Sequence, residues 1–294
     1  MYILRSYCRG RRYFEEYCGG LALTTYVPAK LVKHVHKPVS PVAVLVYKAL
    51  TAKFFMSLPG HFCMLWVPGY EAIPLSIAYQ EGAHYYFIVK KRGLTTSKLV
   101  EDPPQYVGLI GPAGSSIPMP TAEKRVLLLG GGVGIAPLIY FASRIANYVE
   151  NVTLVYGVRS FNELAKLDEI LNVGKFNNIK FLIAVEEAHE NVVFKGTLID
   201  FVTRIGDEIK EYDKVYASGP QIFLCKLYEI FDKMKLLDRL VLVLETYVRC
   251  GLGFCGRCTV PGTEKLLCRD GPAFPARLLR NWFLRVCVKG DRIE

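Results

Sequence analysis

Arg125-Val-Leu-Leu-Leu129, running into Gly130-Gly-Gly-Val-Gly134-Ile-Ala-Pro137, is the stretch whose reading decides the fold. A short apolar run bounded by glycine reads as a buried strand, and a helical pattern follows from Pro137 to Val149. Pro137 suits the first helical turn, where its missing N–H costs nothing. In such a strand-loop-helix unit, bare backbone N–H groups at Gly130, Gly131, Gly132 and Gly134 and the helix N-terminus face an anion such as a pyrophosphate. The loop departs from G-x-G-x-x-G, because Pro137 holds the third glycine position. A glycine-rich loop alone is also just a tight turn; the flanking strand and helix carry the reading.

Downstream, strands at Val152 to Tyr156, Lys180 to Val185, Lys214 to Ala217 and Leu240 to Leu244 alternate with helical stretches at Phe161 to Leu171 and Gln221 to Met234. That alternation predicts a doubly wound parallel sheet. Ligands of such sheets bind outside the carboxyl ends of the strands, so the loops at Gly157-Val-Arg159-Ser160 and Ser218-Gly219-Pro220 converge with the glycine loop on one crevice. Arg159 either pairs with a phosphate or ribose there or is an ordinary surface arginine. No acidic residue is placed by the sequence to read the ribose, so NAD and NADP both stay open.

Upstream, Val42 to Tyr47, Phe62 to Val67 and Tyr85 to Lys90 are short strands separated by turns at Pro59-Gly60, Pro68-Gly69, Glu81-Gly82 and Pro103-Pro104. They predict an antiparallel β-barrel. Before them, Arg5, Arg9, Arg11 and Arg12 alternate with Tyr, Cys and Gly without a period, and Glu15 and Glu16 argue against a transit peptide. The expected organisation is an N-terminal extension over 1–25, a barrel over 26–120, a nucleotide-binding domain over 121–238 and a small cysteine-rich domain with a basic tail over 239–294.

A chain of 294 residues has room for two or three domains, and 51% hydrophobic against 22% charged residues is the balance of a globular protein. The longest uncharged run, Val126 to Ser143, has 18 residues, but its glycines and Pro137 suit a strand-loop-helix unit and not a membrane span. The excess of 37 Lys plus Arg over 27 Asp plus Glu is dispersed and accompanies no nucleic-acid motif. It suits anionic cofactors instead.

Four of the nine cysteines crowd into nineteen positions, and no signal peptide precedes them, which points to ligation in a reducing, cytoplasmic compartment. Cys250, Cys255, Cys258 and Cys268 give C-x4-C-x2-C-x9-C, whose first spacings match the plant-type 2Fe-2S arrangement. Gly251, Gly253 and Gly256 let the loop wrap a cluster and point N–H groups at its sulfurs. A four-thiolate zinc site is the competitor, although structural zinc usually takes two separated C-x2-C pairs. Cys8, Cys18, Cys63, Cys225 and Cys287 are scattered and default to small core or surface thiols.

Through Glu245, Cys250-Gly-Leu-Gly, Cys255-Gly-Arg-Cys258 and Cys268-Arg-Asp-Gly-Pro-Ala-Phe274, the chain resembles the electron transfer subunits of type B (NAD-dependent) dihydroorotate dehydrogenase, a branch of the ferredoxin reductase superfamily. The resemblance covers roughly residues 26–280. It implies that the barrel binds FAD through Pro74-Leu75-Ser76-Ile77 and through Gly93 to Leu99, with Thr95, Thr96 and Ser97 in the second loop. Ile73 stands where the family often has a flavin-phosphate arginine, Thr95 replaces a glycine, and Ser218 stands where relatives often have cysteine. Gly111-Pro-Ala-Gly114 matches the loop between the two domains.

The implied function is to carry electrons from dihydroorotate, oxidised at the FMN of a catalytic partner subunit, through 2Fe-2S and FAD to NAD in pyrimidine biosynthesis. The implied assembly is a two-plus-two heterotetramer. A ferredoxin- or hydrogenase-linked NAD(P) reductase subunit is the nearer rival; several of those relatives carry aspartate as first ligand, and Cys250 favours the dihydroorotate branch. A zinc-stapled nucleotide-sensing protein is the other. The tail around Arg277, Arg280, Trp282 and Arg285 is either a partner surface or an amphipathic helix.

Overall fold

The computed structural model describes residues 25–170, 176–187 and 194–290. The N-terminal extension to residue 24, with Cys8 and Cys18, lies outside the described residues. Seven strands form the first half: β1 (Thr25–His36), β2 (Val42–Ala49), β3 (Phe62–Trp66), β4 (Ala72–Ser76), β5 (Tyr79–Glu81), β6 (His84–Lys90) and β7 (Tyr106–Ala113), with helix α1 (Leu94–Glu101) between the last two. They pair antiparallel in the order β4-β3-β7-β1-β2-β6-β5. Only Ile77 and Ala78 separate the two edge strands along the chain, so the edges are neighbours and the sheet curls on itself. The expected barrel is therefore a curled sheet in which β4 and β5 do not ladder to each other.

Strand β2 is buried on both faces. Side chains alternate along a strand, and here Ala43, Leu45 and Tyr47 fill the inside of the barrel while Val42 and Val44 pack on the second half of the chain. Tyr140, from that second half, reaches back into the barrel core and donates its hydroxyl hydrogen to Ser57 O at 2.8 Å.

The second half comprises β8 (Arg125–Gly131), α2 (Ile135–Ile145), β9 (Asn151–Val158), β10 (Ile179–Val185), β11 (Phe194–Lys195), α3 (Leu198–Ile205), β12 (Lys214–Ser218), α4 (Gln221–Lys233), β13 (Leu240–Val243), α5 (Leu267–Asp270) and β14 (Ala273–Pro275). The sheet order is β11-β10-β9-β8-β12-β13-β14, parallel except for the last pair. The chain leaves β8 toward β9 on one side and returns to β12 on the other, which opens a crevice at their carboxyl ends. Arg144 alone in α2 is not buried, because the helix is sandwiched between sheet and barrel. No helix among the described residues is long and apolar enough to cross a membrane.

Three expectations change. The helix expected over Phe161 to Leu171 is two short 3-10 turns, Phe161–Glu163 and Leu167–Glu169, in the described part. Tertiary partners take its backbone groups: Ser40 Oγ donates to Asn162 O at 2.6 Å and Ala165 N donates to the Tyr156 hydroxyl at 3.2 Å. Strand β13 pairs with β12, and β14 returns beside it, so the cysteine segment is an excursion from the sheet edge and the boundary at 238/239 falls ahead of a strand of the nucleotide sheet. Cys225 and Cys287 are not free thiols but form a disulfide, with their Cα atoms 5.6 Å apart. The tail takes the amphipathic-helix reading: Trp282 is 1% exposed and packs with Leu279 and Val286 in the same core as Leu227 and Phe231 of α4.

Candidate functional site

Gly131, Gly132, Arg159, Thr197 and Pro220 line a cavity of about 500 Å³ at the carboxyl ends of β8, β9 and β12. The loop glycines divide their work. A Cβ on Gly134 would stand 2.6 Å from the Ser218 carbonyl, and one on Gly219, at φ +151°, would meet the Gly131 backbone at 3.0 Å. Glycine is thus required there so that the β8 and β12 loops can touch. Gly132 alone of the four loop glycines has open space around its Cβ position, and Gly131 and Gly132 bring bare backbone to the cavity at the head of α2. Gly130, Gly134 and Pro137 are buried and serve packing. Arg159 does reach the cavity, but its Nε donates to Glu187 Oε1 at 2.7 Å.

A second cavity, of about 310 Å³, lies between the barrel and the sheet. Pro74, Leu75, Ser76 and Thr96 line it, as the flavin reading expects, whereas Gly93, Thr95, Ser97 and Ile77 do not. Ile77 packs in the barrel core at 0% exposure, and Thr95 is buried in α1 at 4%. Gly93 is the N-cap of α1, and Thr96 Oγ1 accepts from the N–H groups of Arg92 (2.8 Å) and Gly93 (2.9 Å), which fixes the loop that opens the helix. Sequence reasoning missed Arg92, which supplies a cation to this cavity where Ile73 does not; a basic residue directly before Gly93 was the available signal.

Lys90, Arg92, Val133 and Glu245 line both cavities and so mark their junction. Glu245 is accessible, yet its open surface faces the cavities. The surrounding protein pushes its carboxyl upward in pKa, against the pull of Arg92. Lys90 is committed to Glu163 at 2.8 Å, an ion pair that joins barrel to sheet.

The cysteines form two pairs. Cys258 and Cys268 are 2% and 4% exposed, with their sulfurs 3.2 Å apart. Cys250 and Cys255 lie toward the outside and hydrogen-bond to each other. Backbone N–H groups point at the sulfurs: Gly253 N to Cys268 Sγ at 3.2 Å and Leu252 N to Cys250 Sγ at 3.4 Å. Burial raises the Cys250 thiol, but hydrogen bonds from Cys255, Leu252 and Phe254 outweigh it and bring it down to about 6. Burial and the neighbouring Cys258 push Cys268 up to about 12. Among the described residues no three His, Cys, Asp or Glu side chains converge as on a single metal ion. Two thiol pairs with N–H groups aimed at sulfur fit a two-iron cluster, for which Cys250 with Cys255 and Cys258 with Cys268 would be the ligands.

The curled barrel, the parallel sheet and the crevice between them define an oxidoreductase of ferredoxin reductase type. The structure superposes on that of an NADH-dependent reduced ferredoxin-NADP oxidoreductase with a TM-score of 0.68 and 25% identity, covering 92% of this chain and 98% of that one. Ferredoxin-NADP+ reductase from Plasmodium falciparum shares the fold at a TM-score of 0.60, over 77% of this chain and 99% of that one. Residues 245–280 match the family model for the iron-sulfur cluster binding domain of dihydroorotate dehydrogenase B.

The chain is 35% identical to the probable dihydroorotate dehydrogenase B (NAD(+)) electron transfer subunit of Archaeoglobus fulgidus, over 75% of this chain and 87% of that one. It is also 35% identical to the Pyrococcus abyssi counterpart, over 76% and 81%. The chain belongs to the family of dihydroorotate dehydrogenase B electron transfer subunits.

Proposed function

We propose that this chain receives electrons released by dihydroorotate oxidation at the FMN of a catalytic partner subunit and delivers them to NAD in pyrimidine biosynthesis. The observation that carries the reading is a shared wall. Leu267, next to Cys268, and Val248, two residues before Cys250, line the same cavity as Ser76 and Thr96. That cavity joins the dinucleotide cavity at Lys90, Arg92, Val133 and Glu245. When bound, a 2Fe-2S cluster would supply one-electron transfer and FAD the conversion of single electrons to the hydride pair that NAD accepts.

Each chain segment has a task in that arrangement. Cys250, Cys255, Cys258 and Cys268 hold the cluster. Arg92 and the α1 loop would bind flavin phosphate, Ser76 would contact the flavin, and Gly131, Gly132 and the head of α2 would take the dinucleotide pyrophosphate. No residue acts as acid or base on dihydroorotate. The assembly is a two-plus-two heterotetramer in the cytoplasm.

The test is to purify the chain alone and with its catalytic partner. The pair should reduce NAD with dihydroorotate while the chain alone does not, and Cys250→Ala should abolish that activity but spare NADH-to-flavin reduction. Dihydroorotate turnover by the isolated chain overturns the proposal. Co-purification with a ferredoxin- or hydrogenase-type partner would instead support the rival circuit.

A further inference from the structure

Arg159 follows the second strand of the nucleotide unit, where an arginine commonly accommodates the 2′-phosphate of NADP and an acidic residue reads the 2′-hydroxyl of NAD. Taken alone it argues for NADP. The structure reverses that argument through Glu187, which follows β10 and is 28 positions away in sequence. Glu187 Oε1 accepts from Arg159 Nε at 2.7 Å, and the two backbones are joined as well, Glu187 N donating to Arg159 O at 2.8 Å. The guanidinium is held by a carboxylate on a neighbouring strand end.

The inference rests on the dinucleotide reading given above. Hydride must reach the flavin cavity, so the nicotinamide half belongs at the junction marked by Lys90, Arg92, Val133 and Glu245. With the pyrophosphate at Gly131 and Gly132, the adenosine half extends toward the ends of β9 and β10. The charged groups lining the cavity there are Arg159, Glu186, Asp200 and Lys226, together with Glu163, whose charge is balanced by Lys90 at 2.8 Å. Asp200 is fixed in place as well: its Oδ2 accepts from Thr197 N at 2.8 Å and from Thr197 Oγ1 at 2.7 Å. Counting Glu187, the described residues set three carboxylates against two cations at this end, and one of the cations is already paired. A 2′-phosphate, with nearly two negative charges, meets net repulsion; a 2′-hydroxyl meets carboxylates able to accept its hydrogen bond.

We propose that Glu187, by pinning Arg159 at the adenosine end of the cavity, is the positioning residue that selects NAD over NADP in this chain. The test is equilibrium binding of NAD(+) and of NADP(+) to the full-length, flavin-loaded chain by calorimetry, a readout that needs no turnover. Wild type should bind NAD(+) at least roughly tenfold tighter. Glu187→Gln frees the guanidinium and should tighten NADP(+) by about tenfold while changing NAD(+) little, as one uncovered charge pair predicts. In the double variant Glu187→Gln/Arg159→Ala the gain should vanish. Flavin content and melting temperature verify that the variants are folded, and both side chains are on the surface. Equal or inverted wild-type affinities, or an unchanged ratio in folded Glu187→Gln, overturn the assignment but leave the dinucleotide site standing. Failure of both dinucleotides to bind overturns the dinucleotide reading and this assignment with it.

Discussion

A Cβ on Gly251 would stand 2.8 Å from Met64 Cγ, so the cysteine loop rests on barrel strand β3 through a glycine. Gly251 also has φ +68°, a conformation that costs other residues of order 1–3 kcal/mol. Met64 is the register partner of Pro74, which lines the cavity proposed for flavin. One contact therefore seats the cysteine loop on the strand paired with this wall.

Gly251→Ala should accordingly lower iron and acid-labile sulfide per chain while leaving flavin content near wild type. Pairing it with Met64→Ala relieves the contact but not the backbone strain, so metal content should recover only in part. Full iron loading of the single variant would show that the loop has freedom this packing denies it.

Flavin retention should depend on one hydroxyl. Thr96 Oγ1 accepts from two backbone N–H groups, those of Arg92 and Gly93. Thr96→Val keeps the shape and leaves both donors without that partner, at about 1 kcal/mol or more. We expect FAD to dissociate roughly tenfold more readily, about 1.4 kcal/mol, followed as the rise in flavin fluorescence on dilution. Thr96→Ser should hold FAD almost as wild type, and equal release from the two variants would remove the hydroxyl from the argument.

How much of this was legible depends on how local each feature is. The strand-loop-helix at Arg125 to Pro137 and the cysteine spacing are local patterns, and both appear where the sequence puts them. The roles within the loop were not legible: that Gly134 exists to touch Ser218, 84 positions on, is a tertiary fact. Phe161 to Leu171 has a helical pattern, yet Ser40 and Tyr156 claim its backbone groups from distant strands. Cys225 and Cys287 carry no spacing signal, because the bond between them spans 62 positions. Arg159 was visible, but Glu187, which pairs with it, was not. Residues that contact their partners through the sheet order become readable only once that order is known.

Stability should fall on mild acidification through His61, just ahead of β3. Its Nδ1 accepts from Leu58 N at 3.1 Å, and burial pushes its pKa from 6.5 down to about 4. A depressed folded pKa contributes stability that is present above the unfolded value of 6.5 and is lost as pH falls toward 4. At pH 5 the loss is about 2 kcal/mol relative to pH 7. The buried carboxylate of His61→Asp would confuse the test, so His61→Asn is the variant of choice: it keeps an acceptor for Leu58 and does not titrate. Urea midpoints should separate between pH 7 and 5 in wild type and converge in the variant. Parallel loss in both would assign the acid sensitivity elsewhere.

The Cys225–Cys287 bond should hold the C-terminal segment to the helix that serves the dinucleotide cavity. It closes a long loop, 62 positions between its ends, and crosslinks of that kind typically contribute ~2–4 kcal/mol by restricting the unfolded chain. Helix α4 brings Ile222, Phe223 and Lys226 to the cavity. The segment it is tied to supports the cysteine excursion, since a Cβ on Gly262 would meet the Asn281 backbone at 2.8 Å. Reduction with a dithiol, or the Cys225→Ala/Cys287→Ala pair, should therefore lower the melting temperature by roughly 5–10 °C for a chain of this size. Iron should be released before flavin, because the cluster loop loses its support first while the packing of Tyr140 in the barrel is untouched. Scanning calorimetry with and without dithiothreitol, read beside the cluster and flavin absorbance, checks both parts. An unchanged melting temperature would mean that apolar packing around Trp282 suffices to dock the segment, and simultaneous loss of iron and flavin would mean that the two cofactor sites unfold as one unit.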